Sequence, residues 1–134
     1  MGTAFDDAKW RTTDLAIDTW SALKMHNYMG SAWYRTGFAL PALPKGKKVY
    51  LWVSATDGRV KVFVNGKHVP YVNPKGEKVA DFTGHCQPAS FDITAALNVN
   101  SDAQQVSLFC TREFLNELGT GGLLSPVAVY REKD

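Results

Sequence analysis

Apolar residues along this chain alternate with a period of two. In residues 49–69, VYLWVSATDGRVKVFVNGKHV, Val49, Leu51 and Val53 alternate with Tyr50 and Trp52, and Val60, Val62 and Val64 alternate with Lys61 and Phe63. That alternation, with its β-branched side chains, predicts two strands. Asn65-Gly66 predicts a tight reversal after the second, because a hairpin turn needs positive φ at both central residues. The stretch therefore reads strand, loop (54–59), strand, turn, strand. Asp57-Gly58 falls in the loop, at the opposite end from Asn65-Gly66, and function at that end is expected from loops.

The flanking sequence extends the pattern. Residues 5–10, FDDAKW, predict a short turn or one helical turn, and residues 15–20, LAIDTW, a strand with Leu15 and Ile17 inward and Trp20 a further inward candidate. A polar and aromatic loop (21–32) precedes a strand at 33–40, which Pro41 and Pro44 end by removing ladder donors. Residues 70–78 read as irregular, 79–82 as a short strand, 83–89 as a loop and 90–93 as a strand. Thr94 is placed to cap a single turn over 95–97. Residues 105–111 alternate again, 112–122 predict a loop or a short helix ending at Gly119, and the last strand (123–130) is entered through Gly121-Gly122. About eight short strands at these spacings predict an all-β antiparallel sandwich or barrel. A parallel α/β fold would need crossover helices of roughly ten residues or more, which the pattern lacks. Leu51, Val62, Val64 and Ile93 are expected in the core, with Trp33, Phe38 and Trp52 beside them and Trp10 and Trp20 as packing residues.

Composition narrows the function. A chain of 134 residues, 45% hydrophobic and 21% charged, fits one folded domain spanning 1–134. A net charge of +2 gives no electrostatic case for nucleic acid, and Lys45, Lys47 and Lys48 flank a Pro/Gly turn and read as a solvated loop. No apolar run approaches the ~18–20 residues of a membrane span. No secretory signal is visible, since residues 1–15 are polar and include Asp6, Asp7 and Asp14. Cys86 and Cys110 make neither a disulfide framework nor a zinc site. They read as two thiols, with a single disulfide as the alternative. Three histidines without ligand spacing give no metal site, and no cofactor is expected.

Four motifs in order carry a family resemblance: Gly30-Ser31-Ala32-Trp33-Tyr34-Arg35 with Phe38; Val62-Phe63-Val64-Asn65-Gly66-Lys67; Ser90-Phe91-Asp92-Ile93-Thr94; and Gly121-Gly122 with Pro126-Val127. Together with FDDAKW they make the chain resemble the sugar-binding domain of glycoside hydrolase family 2, the jelly-roll that precedes the catalytic barrel in β-galactosidases and β-glucuronidases. The resemblance covers nearly the whole chain and implies a galactose-binding-like jelly-roll β-sandwich. Two departures stand out. The family often has Gly-Gly-Ile-Trp-Arg where this chain reads Gly121-Gly122-Leu123-Leu124-Ser125, and His85 and Cys86 replace a glycine-rich run.

A glycosidase needs two carboxylates about 5–10 Å apart across the sugar. Asp57, Glu113 and Glu117 are the loop candidates, but the resemblance places the family's catalytic glutamates in a barrel that this chain lacks. Ser31, His26 or His85, and Asp57 could form a triad, yet no nucleophile elbow is present. The domain is therefore read as non-catalytic. For binding, loops 21–32, 54–59 and 112–122 are expected to meet at one end. The resemblance implies a sugar contact at Asp57 and others near Arg112 and Glu113, and His26, Asn27, Tyr28 and His85 complete the candidate ligand-binding set. Asp57 is expected to point outward. Alternatively it pairs with Arg35 or Arg59 and only fixes the loop, and Arg35 is read as a buried ion-pair partner of Asp57 or Asp92. The reading is an accessory carbohydrate-binding domain of a larger carbohydrate-active enzyme, extracellular or periplasmic. The alternative is an architectural domain that supports a neighbouring catalytic domain. A binding module should show an aromatic pocket on its loops, and an architectural domain an apolar patch on a sheet face.

Overall fold

The computed structural model describes residues 5–41, 46–85, 87–113 and 121–132. Eleven strands are present among them: β1 (Gly30–Ala39), β2 (Val49–Val53), β3 (Thr56–Val64), β4 (Lys67–Val69), β5 (Tyr71–Val72), β6 (Lys78–Val79), β7 (Phe82–His85), β8 (Ala89–Asp92), β9 (Ala103–Arg112), β10 (Gly122–Leu123) and β11 (Val127–Arg131). Every pairing is antiparallel. β3 is the hub of the larger sheet. On one side it pairs with β9 through residues 59–64 and with β10 through 56–57. On the other it takes β7 at 57–60 and β4 at 62–64. β1 lies beyond β9 as an edge. The smaller sheet runs β11–β2–β8, and β5 and β6 form a short ribbon. No described helix is long and apolar enough to cross a membrane.

The two sheets bury the alternating residues against each other. Val60, Val62, Val64, Val106, Leu108 and Cys110 come from the larger sheet, and Val49, Leu51, Val53 and Phe91 from the smaller. Each fully buried Val, Leu or Phe contributes about 1.5–3 kcal/mol relative to exposure, so this interface dominates the stability of an antiparallel β-sandwich. Leu51, Val62, Val64 and Ile93 are all in the core, as the alternation predicts. At one side Tyr71 of β5 packs on Phe82 of the larger sheet and Phe91 of the smaller, with ring centroids 4.8 and 5.6 Å away, and closes the seam between them.

The end carrying Asn65-Gly66 is welded by amides. Asn65 and Gly66 take φ of 49° and 77°, as a tight hairpin requires. The Asn65 side chain donates to Gln104 Oε1 at 2.7 Å and to the Ala96 carbonyl at 3.0 Å, and accepts the Gln105 N–H at 3.0 Å. Gln104 is buried, and its oxygen also accepts the Asn98 N–H. Burying these amides is tolerable because their polar atoms are hydrogen-bonded.

Several expectations are corrected. Residues 15–20 form no strand, 15–17 and 20 lying in turns, and Ile17 is exposed. Asp14 draws the chain into them, its side chain accepting the Ala16 N–H and its carbonyl the N–H groups of Ile17 and Asp18. Such local bonds compete directly with a strand ladder. The loop expected over 54–59 shrinks to two residues, since β3 begins at Thr56, and the loop expected at 83–89 contains most of β7. Thr94 does not cap its 3₁₀ turn. Asp92 accepts the Thr94 N–H instead, while Thr94 Oγ1 accepts the Val49 N–H at 2.9 Å. The last strand is broken, β10 lying in one sheet and β11 in the other. Trp52 faces outward, because Leu51 and Val53 take the inner phase of β2. Trp33 lies on the outer face of the larger sheet, against Phe63 and Phe109, whereas Phe38 packs on the core. Cys110 is a buried free thiol, and burial raises its pKa. Cys86, Glu117 and the short helix considered before Gly119 lie outside the described residues.

Candidate functional site

Strand register brings most of the candidate residues to one end. Gly30 at the start of β1 pairs with Arg112 at the end of β9, and Asp57 at the start of β3 pairs with both Gly122 and His85. What gathers there is mostly built into the scaffold.

Gly58 explains why. It adopts a φ of +99°, and a Cβ at this position would collide with the Thr111 carbonyl. The left-handed backbone breaks the in-out alternation of β3, so that Thr56, Asp57 and Gly58 are buried in succession. The carboxylate expected to point outward is therefore turned inward. Asp57 is 0% exposed, and its Oδ2 accepts the Gly121 N–H at 2.7 Å. Thr56 Oγ1 donates to the Gly122 carbonyl at 3.2 Å. Asp57 and Thr56 thus hold the Gly121-Gly122 entry to β10. Arg112 lies on the inner phase of β9 and is 2% exposed.

The reason for two consecutive glycines is Trp20. It is the largest fully buried side chain, and its indole lies directly against Gly121 and Gly122, where any Cβ would overlap the ring. Both glycines also have positive φ, 68° and 72°. The indole N–H donates to Tyr34 Oη at 2.7 Å. Burial pushes the Tyr34 pKa up to about 12, opposed in part by hydrogen bonds from Trp20 and the Leu123 backbone. Tyr28 packs edge-on against Trp20, centroids 5.4 Å apart, and donates to the Ser31 carbonyl at 3.1 Å. It is 39% exposed, so only part of its ring is available to a ligand.

His26 and Asn27 are exposed in the segment before β1, where Asn27 takes a φ of 55°. His85 is exposed at the end of β7. Glu113 forms an ion pair with Arg59, which also reaches Asp81 at 3.5 Å. These three charged side chains stay 25–46% exposed and form a solvent-facing polar cluster beside β3. Among the described residues, no group of three or more His, Cys, Asp or Glu is arranged to hold a metal ion.

Arg35 pairs with neither Asp57 nor Asp92. Its Nε lies 3.2 Å from Asp7, and it donates to the Phe5 carbonyl at 2.7 Å. Cross-strand register aligns Arg35 with Ser107 and Ser107 with Phe63, six residues along β3 from Asp57. At about 3.3 Å per residue, that is a separation of roughly 20 Å. Asp92 instead pairs with Lys48 at 3.4 Å. Arg35 therefore secures the N-terminal segment to β1.

The outer sheet faces carry aromatics that the sequence did not single out as a site. Tyr50 and Tyr130 stack across β2 and β11 at 5.2 Å and 17°, beside Trp52. Trp52 is 38% and Tyr130 44% exposed. On the opposite face, Trp33, Phe63 and Phe109 form a tilted cluster that His68 extends. The signal was present in the phase of β2, where Tyr50 and Trp52 alternate with three valine or leucine residues.

This sandwich resembles in fold a small part of several large glycoside hydrolases. A β-glucuronidase structure from Bacteroides uniformis superposes with a TM-score of 0.75 at 24% identity, covering 97% of this chain and 15% of that one. A glycosyl hydrolase family 2 member from Bacteroides cellulosilyticus gives 0.73 at 18% identity, covering 97% of this chain and 18% of its own. In sequence, a curated β-glucuronidase of Formosa agariphila is 27% identical over 110 residues, or 73% of this chain and 10% of that protein. No family profile matches the chain. The chain thus spans about a tenth of the curated relative and under a fifth of these solved ones. In fold it resembles a small domain of glycoside hydrolase family 2 proteins, as its motifs imply.

Proposed function

We propose that this chain is a non-catalytic accessory domain, of the jelly-roll type its motifs imply, within a larger carbohydrate-active protein, and that it chiefly supports a neighbouring catalytic domain. The observation that carries this reading is the aromatic face of the smaller sheet, with Trp52 and Tyr130 exposed beside Tyr50. Large aromatics gathered on a flat sheet face suit a protein contact. The burial of Asp57 and Arg112 argues the same way, since both serve the scaffold. The test is removal of residues 1–134 from the larger polypeptide. A supporting domain predicts that the remaining catalytic domain melts at lower temperature or becomes insoluble. An unchanged melting curve would refute the architectural role.

Carbohydrate contact is a second reading, favoured by one observation. Glu113, Arg59 and Asp81 form an accessible polar cluster, and Asp57, Arg112 and the exposed His85 lie on strands that reach the same end, with His26, Asn27 and Tyr28 in the segment before β1. Carboxylates and guanidinium groups suit sugar hydroxyls as acceptors and donors. Under this reading Glu113→Gln weakens binding of a methyl glycoside and leaves the melting temperature unchanged.

A further inference from the structure

The side of the sandwich opposite Tyr71 is open. A groove of about 920 Å³ runs between the inner edges of β1 and β11. Phe38 and Leu40 line one wall and Val127 and Val129 the other, and the core residues Leu51 and Leu108 reach its floor. The N-terminal segment runs along it on the β1 side, with Asp7 and residues 10–16 in the lining and Leu15 packed on the core. Both sheets end here. β1 pairs only with β9 and β11 only with β2 among the described strands. The sheets are also unequal, the larger containing six strands and the smaller three.

We propose that this groove seats an extended β-strand contributed by the parent polypeptide from outside these 134 residues, added to the free edge of β11. The inference rests on the reading of this chain as one domain of a larger protein. Two properties identify the occupant as a strand. The free edge of β11 presents backbone N–H and C=O groups that only another extended backbone satisfies in series. The inward side chains of β11, Val127 and Val129, are only half-buried beside the groove, and alternate apolar side chains of an added strand would cover them. A small apolar ligand would fill the volume and leave the edge unpaired. β11 is favoured over β1 because the N-terminal segment is already fixed to β1 through Arg35, Asp7 and Phe5. The length of similar chains supports a source in the same polypeptide, since 80% or more of each lies outside the part that matches. The added strand would give the smaller sheet a fourth member and close the second seam.

The test is hydrogen exchange measured on the full-length encoded polypeptide and on residues 1–134 alone. The β11 amides that point away from β2 should exchange at least about tenfold more slowly in the longer polypeptide, with the methyl signals of Leu51, Leu108 and Val129 shifted. Equal exchange in both overturns the added strand and leaves the accessory reading intact. Protection in residues 1–134 that grows with protein concentration assigns the edge to a second copy and overturns the proposal. An encoded polypeptide of only these 134 residues overturns the proposal together with the reading beneath it. Should residues 1–134 not fold alone, exchange in the longer polypeptide decides: β11 amides pointing away from β2 that exchange at least about tenfold more slowly than the exposed amides of 98–102 support the added strand, and exchange as fast as those amides overturns it.

Discussion

The indole nitrogen of Trp20 donates to the hydroxyl of Tyr34 at 2.7 Å, joining the segment before β1 to the middle of that strand inside the sandwich. Tyr34→Phe removes the acceptor and strands a buried N–H. The expected loss is ~1–3 kcal/mol, the usual penalty for an unsatisfied buried polar group. Trp20→Ala also empties the space beside Gly121 and Gly122 and should lose more, about 3–5 kcal/mol. Denaturant unfolding of both variants checks the order. Equal stability of Tyr34→Phe and wild type would mean that the bond contributes nothing.

The same tyrosine gives the fold an alkaline limit. Its folded pKa, about 12, lies above the ordinary 10.0. Folding therefore favours the neutral phenol, and this contribution is fully present below pH 10 and lost as pH rises towards 12. Cys110 acts in the same direction, because burial raises its thiol pKa as well. Stability should fall steeply above about pH 10. Tyr34→Phe should lessen the fall, as followed by the melting temperature between pH 8 and pH 12.

Gly122→Ala places a methyl group against the Trp20 ring at a φ of 72°. Left-handed backbone costs a non-glycine residue roughly 1–2 kcal/mol, and overpacking adds about 1–3 kcal/mol. The variant should melt well below wild type. Gly76→Ala is a control at φ 81° where a methyl would meet nothing within 4 Å. It should show the backbone cost alone.

Asp57→Asn distinguishes a ligand contact from a structural one. The side chain is buried and accepts the Gly121 N–H. Losing a charge-assisted bond there should cost about 1–3 kcal/mol of stability. A variant with unchanged melting and weakened sugar binding would reassign Asp57 to a binding site.

Much of the sandwich was legible because alternation and turn chemistry agree in the middle of the chain. Val49–Val53, Val60–Val64 and Asn65-Gly66 are all found where the pattern places them. The N-terminal quarter was not legible. LAIDTW alternates over too few residues to be separated from turns held by Asp14. The candidate site misread one residue in particular. Asp-Gly is a turn signal, but Gly58 uses its left-handed freedom inside a strand, which turns Asp57 inward. Nothing local in the sequence separates those two uses. Trp52 was the reverse case, since its outward phase follows from Leu51 and Val53 and was overridden by hydrophobicity. The partner of Arg35 depended on where the N-terminal segment folds back, a long-range fact that no spacing carries.

The most direct test of the architectural account is a ¹H–¹⁵N titration of this domain with methyl β-glucuronide, β-galactoside and β-glucoside. The account predicts no saturable shift at Asp57, His85, Arg112 or Glu113, since Asp57 and Arg112 are buried in the scaffold and Glu113 is engaged by Arg59. Saturable shifts confined to those residues with any one of the three sugars would contradict it and establish a carbohydrate site at this end of the sandwich.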